Sequence, residues 1–207
     1  MQYSLMKKNR LLTGISRLLL AGVVAGLMAC AAPGPGGGVS TAPKKEMPKV
    51  DPKIAAAYQA ALDAMRAGKT AQAEKALRQL SEQYPNYSGP QTNLGILYFH
   101  QNKLDKAKAS FLAALEINPD NVVSLNHLGI ISRNEGDFQQ AKKYYEKALK
   151  IDPKYAYAHL NYGILLELYM GKRKEALAHY KRYQALTPKE DVEVKKWIVD
   201  LGRRVKQ

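Results

Sequence analysis

Apolar residues are distributed along this chain in three ways, and each predicts a different kind of segment. Leu18 to Ala29 (LLLAGVVAGLMA) is an unbroken apolar run of 12 residues. As a helix it would cover about 18 Å, against about 30 Å of bilayer hydrocarbon, so it is too short to span. Residues 31–50 (AAPGPGGGVSTAPKKEMPKV) have no apolar period at all. From Ile54 onward apolar residues recur at helical spacing, in blocks of equal length. Pro85, Pro119 and Pro153 are 34 apart, as are Gly95, Gly129 and Gly163, and Ala73, Ala107 and Ala141; Phe111 precedes Tyr145 by the same interval.

A period of this length predicts repeated helical hairpins, each too small to bury its own apolar stripe and stable only when stacked. The Gly or Ala of the first helix (helix A) lets the second (helix B) approach closely. An aromatic fills the space between successive hairpins, and Pro marks the boundary after helix B. The outer units are plainer. In the first, Ala61 takes the Gly position, and Leu77 and Leu80 replace the aromatic and the Ala. In the fourth, Gly163 keeps the period but Gly171, Ala176, Tyr180 and Pro188 come 35 after their counterparts. One extra residue therefore lies between Gly163 and Gly171, at the end of helix A or in its turn. After Pro188, Asp191 can cap a last helix with Val194, Trp197, Ile198, Leu201 and Val205 on one face.

The set Leu94, Gly95, Tyr98, Ala107, Phe111, Ala114 and Pro119, repeated as Leu128, Gly129, Ala141, Tyr145, Ala148 and Pro153 with Ser132 for the first aromatic, resembles the tetratricopeptide repeat. The resemblance covers residues 54–188. It implies an all-α, right-handed superhelix of four hairpins (about 54–87, 88–121, 122–155 and 156–190) within an array over 51–189, closed by a capping helix over 190–207. In that family helices A line a concave, partner-binding side. Its usual groove positions fall on Thr92, Asn93, Ile96, Phe99 and His100 in the second repeat. In the third they fall on Val123, Asn126, His127, Ile130, Arg133 and Asn134, and in the fourth on Tyr157, Leu160, Asn161 and Ile164. The resemblance thus implies an apolar, amide-rich groove that receives an extended protein segment. The carboxylate clamp of the chaperone-docking subfamily is matched at Asn93 alone; Tyr58, Leu62, Val123 and His127 stand at its other places.

The N-terminal segments change the picture of where this array works. Lys7, Lys8, Arg10 and Arg17, with no acid among them, precede the short apolar run in the layout of an export signal. Leu27-Met28-Ala29-Cys30 resembles the lipobox of bacterial lipoproteins, which implies cleavage after residue 29 and a diacylglyceryl thioether on Cys30. Ala31, in place of Asp, implies an outer-membrane lipoprotein facing the periplasm. Residues 30–50 then read as a lipidated Cys and a Pro/Gly-rich tether with a reach of about 25 Å. Cys30 is the only cysteine, so the fold has no intramolecular disulfide.

Composition adds charge and removes chemistry. Lys and Arg outnumber Asp and Glu by 32 to 18, with basic residues gathered late in the chain. The four His (His100, His127, His159 and His179) form no H-x-x-x-H pair, and no nucleophile elbow, phosphate loop or dinucleotide fingerprint is present. The expectation is a non-enzymatic scaffold or adaptor without cofactor or metal, the lipid on Cys30 apart, serving a cell-envelope complex. Pilus or secretin assembly, adaptors of peptidoglycan enzymes and accessories of energy transduction all use lipoproteins of this layout. Nucleic acid is not an expected partner. A competing expectation is a charge-driven binder of wall polymer or of an anionic membrane surface.

Overall fold

The computed structural model describes residues 51–206, and within them nine α-helices. The expected leader over 1–29 and the expected lipidated Cys30 and tether over 30–50 lie outside the described residues. Four hairpins follow in order: α1 (Pro52–Arg66) with α2 (Thr70–Gln83), α3 (Ser88–His100) with α4 (Leu104–Ile117), α5 (Val122–Glu135) with α6 (Phe138–Ile151), and α7 (Ala156–Leu168) with α8 (Arg173–Leu186). The last helix is α9 (Val192–Arg204).

Each helix B ends two residues before its proline, because the residue preceding proline is steered away from helical backbone. Asp51, Asn121, Asp137 and Asp191 cap the helices that follow them, each accepting a backbone N–H through its side chain. The turn inside each hairpin needs one left-handed residue. Gly68, Asn102 and Gly136 supply it at the repeat period, and Gly171 supplies it one residue late. The extra residue of the fourth repeat is absorbed at this turn. In the first three repeats the N–H of Lys69, Lys103 and Asp137 reaches the carbonyl five residues back, of Ala64, Tyr98 and Ser132. In the fourth, Lys172 reaches six residues back to Leu166, so the loop widens and the packing of Gly163 on α8 is preserved.

The repeating core contact is a glycine under an aromatic ring. A Cβ on Gly95 would lie 2.6 Å from the ring of Phe111, one on Gly129 would lie 2.5 Å from Tyr145, and one on Gly163 would lie 2.7 Å from Tyr180. The other side of each ring meets the next unit. Phe111 stacks on His127 with centroids 4.8 Å apart, Tyr145 lies 6.0 Å from Tyr162, and Tyr180 lies 5.6 Å from Trp197 of α9. Val194, Trp197 and Leu201 are the buried face of α9, so the cap continues the stack. Helix α3 packs on α5 and α5 on α7, whereas helices B of successive repeats make no comparable contact. The array therefore bends with helices A on the inside.

Candidate functional site

The inner wall has two layers, and the groove residues expected from the sequence divide between them. Thr92, Phe99, Asn126, His127, Ile130, Leu160, Asn161 and Ile164 are buried between helices. Asn93, Ile96, Val123, Arg133 and Tyr157 are half-buried, and His100 and Asn134 are exposed. The expectation that Asn126 and Asn161 present their amides to a partner needs correcting. Asn161 Nδ2 donates to Asn126 Oδ1 at 3.0 Å, and each residue is only 3% exposed. A buried amide left unpaired is costly, so these two side chains are spent on joining α5 to α7. Phe99 and Ile130 are likewise core residues and offer no open pocket.

The same holds one step earlier in the stack. Thr92 Oγ1 donates to the carbonyl of Ser88 at 2.9 Å, accepts from Asn121 Nδ2 at 2.7 Å, and lies 3.4 Å from Ser124 Oγ. His127 is a structural histidine. Its Nδ1 lies 2.8 Å from the carbonyl of Val123, which can only accept, so that nitrogen carries the proton. Burial holds its pKa down at about 4, and the neutral ring packs face-on against Phe111 and edge-on to Phe99. Asn93, the single match to the carboxylate clamp, donates its amide to Tyr58 Oη and to the carbonyl of Gly89. Its donors are thus committed within the first two repeats.

What remains open toward solvent is Ile96, His100, Val123, Arg133, Asn134 and Tyr157, with Asn93 at one edge. Tyr157 sits among rings, 6.3 Å from both Tyr155 and Tyr183, and Tyr183 in turn donates to Asp191 Oδ2 at 3.2 Å. Burial raises the Tyr157 phenol, so it stays neutral and can donate or accept. Its side chain is thus a half-covered aromatic on a rigid base, the type of group that concentrates energy in protein interfaces.

Two polar features escaped the sequence reading. Glu167 is buried at the end of α7, accepts from Tyr180 Oη at 2.9 Å, and receives Arg204 Nη2 of α9 at 2.8 Å. It links the fourth repeat to the cap, and the lone acid in the run GILLELYM was its only sequence signal. His159 and His179 meet through their Nδ1 atoms at 2.9 Å, where the third repeat has Leu125 and Tyr144. His159 Nε2 donates to the carbonyl of Pro153 at 3.0 Å, so His179 supplies the shared proton. Among the described residues no three His, Cys, Asp or Glu gather as metal ligands, and no helix is long and apolar enough to cross a membrane.

Comparison with known proteins agrees with this architecture. Three models of the tetratricopeptide repeat match the chain, over residues 58–122, 122–155 and 144–182. Among similar solved structures, PilF of Pseudomonas aeruginosa has a TM-score of 0.65 and 21% identity, over 74% of this chain and 69% of that one. A thermophilic tetratricopeptide-repeat protein of Thermus thermophilus has a TM-score of 0.59 and 21% identity, over 72% and 80%. MamA has a TM-score of 0.55 and 20% identity, over 64% and 77%. At these identities the likeness is one of fold. The matched repeats and the glycine-under-ring core together establish that the chain belongs to the tetratricopeptide-repeat family, whose arrays are protein-interaction scaffolds.

Proposed function

We propose that this chain is an outer-membrane lipoprotein whose inner, helix-A face holds an extended segment of a partner protein in a cell-envelope complex. The observation that carries the reading is the open layer of that face. Ile96, Val123 and Tyr157 come from three successive helices A and leave apolar surface accessible above a base joined by the Asn161–Asn126 and Asn121–Thr92 bonds. Asn134, His100 and Arg133 add polar groups beside them, and helices A carry few charges compared with helices B. A sparsely charged, rigid surface of this kind suits a main-chain ligand with apolar side chains. The lipobox at Cys30 and the Pro/Gly tether support an anchor on the periplasmic side. The identity of the partner is left open.

The experiment pairs the two halves of the proposal. Cys30→Ala should release the protein from salt-washed membranes to the soluble periplasmic fraction; retention in the membranes would remove the lipid anchor from the account. Tyr157→Ala, shown first to melt like the parent, should weaken recovery of the co-purifying partner about tenfold, a loss of roughly 1.4 kcal/mol. Charge reversal at Lys143 and Lys147 on α6 should leave recovery within a factor of about two, since exposed charges away from the contact contribute little. Recovery intact in Tyr157→Ala, above all with loss of the partner on the α6 reversal, would overturn the groove assignment.

A further inference from the structure

The outer face of the capping helix presents a stripe unlike any expected of a solvated surface. Val192, Lys196, Val199 and Arg203 follow one another at i, i+4, i+7 and i+11, and so share one line along α9. Lys195 and Lys206 flank that line. All six are solvent-facing. Among the described residues only three large apolar side chains are exposed, and two of them, Val192 at 56% and Val199 at 49%, lie on this stripe. The opposite face, Val194, Trp197 and Leu201, is fixed against the fourth repeat, so the helix cannot turn to hide the valines.

No acid stands on the line itself. Glu190 and Glu193 pair with Lys195 at 2.9 Å and with Lys196 at 3.1 Å, and Asp200 is drawn to Arg204 at 3.0 Å, all at exposed or half-exposed positions. Such surface pairs hold weakly and exchange readily for other anions. Arg203 and Lys206 have no ion pair among the described residues.

We infer that this stripe docks the C-terminal end of the array onto a bilayer surface bearing anionic headgroups. Charge complementarity points there. Cations alternating with apolar side chains along one helix face let the stems lie along the headgroup boundary while the charged ends meet phosphates. A second copy of the chain is disfavoured as occupant, because it would bring the same cations face to face. Each Lys or Arg near an anionic surface adds its own favourable increment, so four cations with two valines can give reversible attachment without insertion. The inference is independent of the helix-A groove, which lies on other helices, and it does not require the lipid on Cys30. With that lipid, the stripe becomes a second attachment that sets which way the groove faces.

The test measures partition of the purified full-length chain onto two kinds of vesicle, phosphatidylcholine alone and phosphatidylcholine with about a third phosphatidylglycerol, at low and high salt. The anionic vesicles should gain binding that salt removes. Lys196→Glu with Arg203→Glu should reduce that anionic gain by about tenfold or more. Lys143→Glu with Lys147→Glu, which changes net charge equally on α6, should reduce it less than about threefold. Val199→Asn should lower it about threefold with no change of charge. Any leader or lipid contributes alike to every variant, so failure of the anchor would not imitate failure of the stripe. Equal losses for the two charge reversals would overturn the inference in favour of net charge alone. Loss of binding to soluble polyglutamate but not to vesicles in the cap variant would overturn it in favour of an acidic protein.

Discussion

The third and fourth repeats share one core and differ in how their polar groups are used. Both set a glycine under a tyrosine, Gly129 under Tyr145 and Gly163 under Tyr180, at the same close approach. The two phenols have different fates. Tyr180 donates to the buried Glu167, which also holds Arg204 of the cap. Tyr145 Oη is buried with no hydrogen-bond partner among the described residues, and burial pushes its pKa up to about 12. At the sixth position of helix A the third repeat buries His127, and the fourth buries Asn161. The interior repeat thus tolerates a buried hydroxyl without a hydrogen bond, in the field of Arg133 and Tyr169, while the terminal repeat recruits its hydroxyl to fasten the capping helix.

The shared core should give the largest effect. Gly129→Leu and Gly163→Leu each force a branched side chain into a ring already in contact, costing about 3 kcal/mol or more. Thermal melts of the two variants should fall together, both far below an exposed control such as Lys147→Ala, which should change stability by less than about 0.5 kcal/mol. A mild effect at one glycine and a severe one at the other would break the equivalence of the two cores.

Acid should weaken both repeats next, the third through His127 and the fourth through His179. The folded-state pKa of His127 is held at about 4 by burial, below the ordinary value of 6.5. A base whose folded pKa is depressed binds fewer protons folded than unfolded in that window. Its contribution is therefore whole above pH 6.5 and is lost as pH falls toward 4, by on the order of 3 kcal/mol. His179 follows the same sign, held at about 4 by burial and by the neighbouring His159. His127→Asn, which installs the residue type of the fourth repeat, should lessen the pH dependence of stability between 6.5 and 4 and leave the share that belongs to His179. Parallel curves for parent and variant would mean that the third-repeat histidine is not buried neutral.

Much of this was legible in the sequence, and the limits have a physical cause. The period located the helix pairs and the inserted residue, because the small residue, the bulky one and the proline sit where close backbone approach and helix termination limit the choice, and the cap followed from Asp191 and the apolar face after Pro188. The groove positions were legible only as a register. Whether the Asn126 amide meets a partner or meets Asn161 depends on the stagger of α5 against α7, which no spacing along one helix contains. Glu167 and the His159–His179 contact were missed for the same reason, since their partners sit on α8 and α9.

The smallest effect concerns the phenols. Tyr180→Phe should cost about 1 kcal/mol and loosen the cap, whereas Tyr145→Phe should be neutral or slightly stabilising. Hydrogen exchange in α9 should rise for the first variant alone. Equal costs for both would erase the distinction between interior and terminal repeat.

The central claim, that the open layer of the helix-A face holds a protein partner, is tested most directly by crosslinking in intact cells. A photoreactive residue is placed singly at Ile96, Val123 or Tyr157, and for comparison at Lys147 or Lys181 on helices B. The account predicts that the three inner positions capture one and the same protein, through neighbouring stretches of its sequence, and that the outer positions do not. Capture of that protein from Lys147 and Lys181 with none from the inner positions would contradict it.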